Sequence, residues 1–178
     1  MPAAGDNERI AAEIQALLEE AVQRLRSAGA RTEALAEYVP EHRVLLVPRP
    51  AVLRSKGRIW RLGVFLLGED ATLYETGQAT RALEPGRPGY QSQSAERRRA
   101  YRAAASRGRF PHGETVNFDA VPVTLDVDEL RNSIGRLFVE GDRPRVRWNA
   151  NTSDADAVDL ASYLADRVEL LAEPPAGA

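Results

Sequence analysis

His112 stands between Pro111 and Gly113, with Glu114 two places further on. An imidazole changes charge nearest to neutral pH, so a histidine beside a carboxylate in a loop is a candidate for moving protons. That pair supports one reading, a small amide or ester hydrolase with His112 and Glu114 as acid and base. Around it, residues 81–114 carry eight arginines (Arg81, Arg87, Arg97, Arg98, Arg99, Arg102, Arg107 and Arg109) against Glu84, Glu96 and Glu114. The guanidinium's planar fork of donors matches carboxylate and phosphate oxygens. The second chemistry is therefore anion recognition, with Arg87, Arg97, Arg98, Arg102 and His112 as contacts.

A helical wheel over residues 94–108 sets Arg98, Arg99 and Arg102 on an outer face. Arg97 falls among Tyr101 and Ala104 on the apolar side, where its charge would need a carboxylate or carbonyl partner. Arg87 lies in the glycine-containing loop of residues 84–94, just ahead of the helix start. That loop has neither the Gly-Lys-Ser/Thr ending of a phosphate loop nor the spacing of a dinucleotide fingerprint.

Two further clusters carry less. Arg143, Arg145 and Arg147 alternate along one strand, with Arg136 across a hairpin, as a nucleic-acid stripe would. Val146 and Trp148 face the other way, so the stripe lacks stacking aromatics. Asp154, Asp156 and Asp159 lack the ligand spacing and glycine of a calcium loop and suit a helix start instead. With no cysteine and two histidines, thiolate zinc sites, disulfides and multi-histidine metal sites are excluded. No metal and no cofactor is expected.

The elements that position these residues follow from periodicity. Asp6 or Asn7 opens a helix to about residue 28, with Ile10, Ile14, Leu17, Leu18, Ala21 and Leu25 on one stripe. A second short helix is expected over residues 32–39, ending at Pro40. Residues 44–47 read as a short buried strand, and Val52 and Leu53 as an irregular edge. Residues 58–67 read as a central strand apolar on both faces, followed by an antiparallel meander through 71–76 and 79–83. Beyond the basic helix come strands at 115–119 and 121–125. A capping box at Asp126 and Glu129 then opens a short helix that ends near Gly135. Residues 136–140 and 143–148 form a hairpin, with Pro144 placing its second arm at an edge or strand start. A last helix opens at Ser153 or Asp154 and buries Ala157, Leu160, Ala161, Leu164, Val168 and Leu171.

The run of residues 103–116, with Arg107-Gly108-Arg109-Phe110-Pro111-His112-Gly113-Glu114 at its centre, resembles a family of small uncharacterised proteins of high-GC bacteria. Val146-Arg147-Trp148 and residues 163–178 add to the likeness. Some members of that family bear a glutaminase label. The residues here do not carry that chemistry: Leu53 stands where a Ser-x-x-Lys motif ending at Lys56 would need its serine, and a thiol nucleophile is absent.

The expectation is a single α+β domain over residues 1–178. Its mainly antiparallel sheet, a meander plus a C-terminal hairpin, packs with amphipathic N- and C-terminal helices. Function is read as non-enzymatic binding of a protein partner or small anion through residues 86–114, with the hydrolase and nucleic-acid readings as alternatives. A homo-oligomer is compatible with an edge strand at residues 143–148. No apolar run approaches the ~18 residues of a membrane span and no signal-peptide core opens the chain, so the expected location is cytoplasmic without membrane contact.

Overall fold

The computed structural model describes residues 4–84 and 92–174. In chain order the elements are α1 (Ala4–Ser27), β1 (Glu33–Val39), β2 (His42–Val44), β3 (Val47–Arg49), β4 (Val52–Leu62), β5 (Phe65–Gly68), β6 (Leu73–Glu75) and β7 (Gln78–Arg81). They continue with α2 (Gln93–Arg107), β8 (Thr115–Phe118), β9 (Val121–Pro122), α3 (Val127–Arg131), β10 (Leu137–Glu140), β11 (Arg143–Val146), a 3-10 turn (Asp154–Asp156), β12 (Val158–Asp159) and α4 (Leu160–Ala172). The α+β class, the mainly antiparallel pairing, the C-terminal hairpin and the terminal helices are as expected. No helix among the described residues is long and apolar enough to cross a membrane.

The chain divides into two compact units. One comprises Met1–Arg31, Trp60–Glu75 and Val121–Ala178; the other comprises Thr32–Ile59 and Thr76–Ala120. The first holds eleven basic and nineteen acidic residues, the second thirteen basic and seven acidic. A near-neutral total thus hides a net charge of −8 in one unit and +6 in the other.

In the acidic unit α1 buries Ile10, Ile14, Leu18, Ala21, Val22 and Leu25 against Trp60, Leu62, Phe65, α3, β10, β11 and α4. The stripe is the one its 3.6-residue period demands. Residues 58–67, expected as one strand, are broken at Gly63, whose φ of +67° starts a tight turn between β4 and β5. The Tyr163 hydroxyl locks that turn, donating to Leu62 O at 2.7 Å and accepting from Val64 N at 2.9 Å. β5 pairs with β6, and β6 with β9. β9 covers only Val121–Pro122, shorter than expected. Asp126 caps α3 by accepting from Asp128 N and Glu129 N.

The β10–β11 hairpin turns at Gly141-Asp142, as read from sequence. β11 lies between β10 and β12 rather than at an edge. Pro144 is tolerated because β12 pairs only with Arg145 and Val146. The last helix begins at Leu160, later than expected, because Asp159 rather than Ser153 caps it. Ser153 and Asp154 instead form the single 3-10 turn, Tyr163 joins the buried stripe and Ala161 is exposed.

In the basic unit, residues 32–39 form β1 and not a helix. A helix this short is marginal alone, whereas β1 pairs with β4 antiparallel and with β8 in parallel. Ala34, Leu35 and Ala36 are consecutively buried, as in a strand covered on both faces. β7 leaves the expected meander and pairs with β8, making the order β7-β8-β1-β4. Val52 and Leu53 open β4, an eleven-residue strand, rather than forming an irregular edge. Leu45, Leu46 and Val47 of the 44–47 run are exposed rather than buried. β2 and β3 make a separate hairpin whose turn residues Leu45 and Leu46 are 94% and 90% exposed at φ of +48° and +68°. The core on the α2 side comprises Ala34, Ala36, Leu53, Ala82, Ala104, Ala105, Val116 and Phe118.

Candidate anion groove between α2 and β7

Helix α2 forms where the sequence places it because an alanine-rich stripe gives it something to bury. Ala104 and Ala105 are sealed against the sheet. Tyr101, one turn earlier, packs edge-on against Phe118 at 4.8 Å and Tyr38 at 5.5 Å between ring centroids. The helix closes at Gly108, where any Cβ would collide with the Leu53 carbonyl. With this stripe fixed inward, Arg98 and Arg102 fall on the flank beside β7.

There they line a groove of about 380 Å³ with Ala79, Thr80 and Arg81 of β7 and Thr115 of β8. Arg81, Arg98 and Arg102 form no ion pair among the described residues. The nearest carboxylate in sequence to Thr115, Glu114, is committed elsewhere. Arg58 pairs with it and also donates from Nε to Thr32 Oγ1 at 3.0 Å and from Nη2 to Thr32 O at 2.9 Å. Two guanidiniums on α2 and the Arg81 position at the β7 rim, without carboxylates to neutralise them, make a setting for an anion.

The remaining expected site residues disperse. Arg97 is exposed rather than inserted on the apolar side. It lies on the first turn of α2, and the buried alanines lie two turns further along. Arg99 is half-buried, its Nε without a hydrogen-bond partner. Arg87 lies outside the described residues.

His112 is exposed and does not line the groove. Its place is structural. Glu114 N bonds Pro111 O at 3.0 Å across the turn, with Gly113 at φ +81° as a type II turn requires. Gly113 N then donates to Ala82 O at 2.8 Å and Ala82 N to Glu114 O at 2.9 Å, the pattern of a glycine bulge closing β7 onto β8. No hydrogen bond joins His112 to Glu114 among the described residues.

No family model, curated protein or solved structure matches this chain.

Two of the C-terminal arginines, Arg145 and Arg147, are taken up within the acidic unit. Arg145 bonds Glu140 Oε2 at 2.9 Å and also the Ala157 carbonyl. Arg147 donates from Nε to Asp154 Oδ1 at 2.6 Å and from Nη1 to Ser133 O at 3.2 Å, and lies 3.9 Å over the Phe138 ring. That bond and charge hold the Asp154 carboxyl below its ordinary 3.8, with partial desolvation opposing. Asp159 caps α4, and no group of three metal-ligating side chains occurs among the described residues.

Sequence reasoning missed Arg81 as part of the groove. Its signal was present in the alternation of residues 79–83, but only the pairing of β7 with β8 brings it beside α2.

Proposed function

We propose that this chain is a binding module whose groove between α2 and β7 takes an anionic group, contacted by Arg98 and Arg102, with Arg81 at the rim. One observation carries the reading: Arg98 and Arg102 line one groove, with Arg81 at its β7 rim, and none of the three has a carboxylate partner among the described residues. Mutual repulsion of clustered cations costs stability unless an anion is expected there. The +6 charge of the same unit supports it by drawing anions toward that side of the chain.

Thermal denaturation with inorganic phosphate, citrate and glutamate tests it. A ligand at one hundred times its Kd adds about 2.7 kcal/mol to the folded state. The expected result is a rise in melting temperature with at least one of these anions in the parent chain, and none in the Arg98→Glu/Arg102→Glu double variant. Equal shifts in both proteins, or none in either, would remove the proposal.

A further inference from the structure

Beside the arginines lies a row of backbone groups with no partner among the described residues, and the two features share a spacing. β7 is the outermost strand of its sheet: β8 pairs with one side and no described strand with the other. Ala82 turns both its N–H and its C=O toward β8, bonding Glu114 O and Gly113 N. The two-residue period of a strand gives Thr80 and Gln78 the same direction, so Ala79 and Arg81 direct their backbone groups outward. The Arg81 carbonyl is taken by Leu83 N at 2.9 Å. This leaves Ala79 N–H, Ala79 C=O and Arg81 N–H as the outward row.

Side-chain direction follows from the same register. Thr80 sits opposite Val116, which is buried in the core with Ala104 and Ala105, so Thr80 shares the α2 face. A strand laid along β7 would therefore place the residue opposite Ala79 away from α2. Its two neighbours would project toward α2, where Arg98 and Arg102 line the groove. Arg98 and Arg102 are four residues apart, about 6 Å along a helix. Alternate side chains of a strand are about 6.8 Å apart. The spacing of two carboxylates at i and i+2 is thus close to the spacing of Arg98 and Arg102 along α2.

From this we infer that the groove's ligand is an extended acidic peptide segment of a partner protein, added to β7 as a further antiparallel strand. It carries Glu or Asp at alternate positions facing Arg98 and Arg102. The inference rests on the anion reading above and narrows it to one class of ligand, recognised by backbone and charge together. Edge pairing supplies the hydrogen bonds and the arginines select the sequence. Three outward backbone groups are too few to hold a neutral strand firmly.

The test is fluorescence polarisation with the full chain and a labelled peptide of alternating glutamate and valine. In the inferred register the valine N–H groups face β7 and the glutamate N–H groups face solvent. Methylating the valine nitrogens should weaken binding by tenfold or more, while methylating the glutamate nitrogens should change it less than about threefold. Arg98→Glu/Arg102→Glu should abolish binding, and replacing both arginines by lysine should restore part of it.

If both methylated peptides bind like the parent, the groove takes anions without strand pairing. The strand inference then fails while the anion reading stands, as it also would if phosphate or citrate binds and the peptide does not. If the chain instead dimerises through β7 and the peptide cannot compete, a second copy owns the edge and the inference is overturned. Failure of both peptide and small anions to bind removes the anion reading itself.

Discussion

Replacing Tyr163 by phenylalanine removes one oxygen and isolates what holds the β4–β5 turn. The hydroxyl donates to Leu62 O and accepts from Val64 N, and Tyr163 is 4% exposed. Phenylalanine keeps the ring, including its edge-on contact with Phe65 at 5.9 Å, and leaves two backbone groups without their partner. At about 1–3 kcal/mol for each buried group left unsatisfied, and with some water re-entering at the turn, the loss should be about 2–4 kcal/mol.

Gly63 supplies a second arm, because a Cβ there would collide with the same hydroxyl. Gly63→Ala also incurs about 1–2 kcal/mol for its left-handed backbone. In the Tyr163→Phe background the collision is relieved while the backbone cost stays, so the two losses should sum to more than the double variant shows, by about 1 kcal/mol. Urea unfolding followed by tryptophan emission reads this, since Trp60 and Trp148 both belong to the acidic unit. A Tyr163→Phe loss below about 0.5 kcal/mol, or strict additivity with Gly63→Ala, would refute the account of the turn.

Three further outcomes follow from geometry. Leu45→Asn with Leu46→Gly should stabilise the β2–β3 hairpin by about 1–2 kcal/mol, because both leucines hold a left-handed backbone that asparagine and glycine adopt readily. Hydrogen exchange at the β2 and β3 amides should slow accordingly, and unchanged exchange would contradict it. Gly108→Ala should destabilise α2 by about 1–3 kcal/mol through collision with the Leu53 carbonyl and the Phe110 ring rather than through backbone strain, since φ there is an ordinary −70°. Faster exchange along α2 checks it. For Asp154, the folded carboxyl titrates below its ordinary 3.8. Its ion pair therefore stabilises the fold fully above that value and ceases to do so as pH falls through the lower folded value. The gap in urea midpoint between the parent and Asp154→Asn should be constant at neutral pH and close in acid below about pH 4. A gap that persists there would sink the assignment.

The parts legible in the sequence are those in which one local signal decides the outcome. The α1 stripe, the α2 alanines, the Asp126 cap and the Gly141-Asp142 turn all fall where period and capping put them. The errors arise where distant partners decide. Residues 32–39 have helix-compatible composition, but β4 and β8 provide hydrogen bonds on both sides. The 44–47 run has the look of a core strand, yet pairing of Val44 with Val47 folds it back on itself and turns its leucines outward. At the site, the wheel grouped Arg98, Arg99 and Arg102, of which Arg98 and Arg102 line the groove and Arg99 is half-buried. It could not show that β7 pairs with β8 and so brings Arg81 to them, nor that Glu114 is already taken by Arg58. His112 looked chemical because it stands in a loop with Glu114 two places on. The same spacing is what a type II turn followed by a glycine bulge requires.

The chain passes between its units four times, at residues 31–32, 59–60, 75–76 and 120–121. During synthesis every residue of the basic unit has been made once residue 120 emerges, while the acidic unit still awaits residues 121–178. Until then Ile10, Ile14, Leu18 and Trp60 lack α3, β10, β11 and α4 to cover them. Growing chains therefore hold every residue of the cationic unit while the apolar stripe of α1 still lacks its covering elements, a stage open to aggregation.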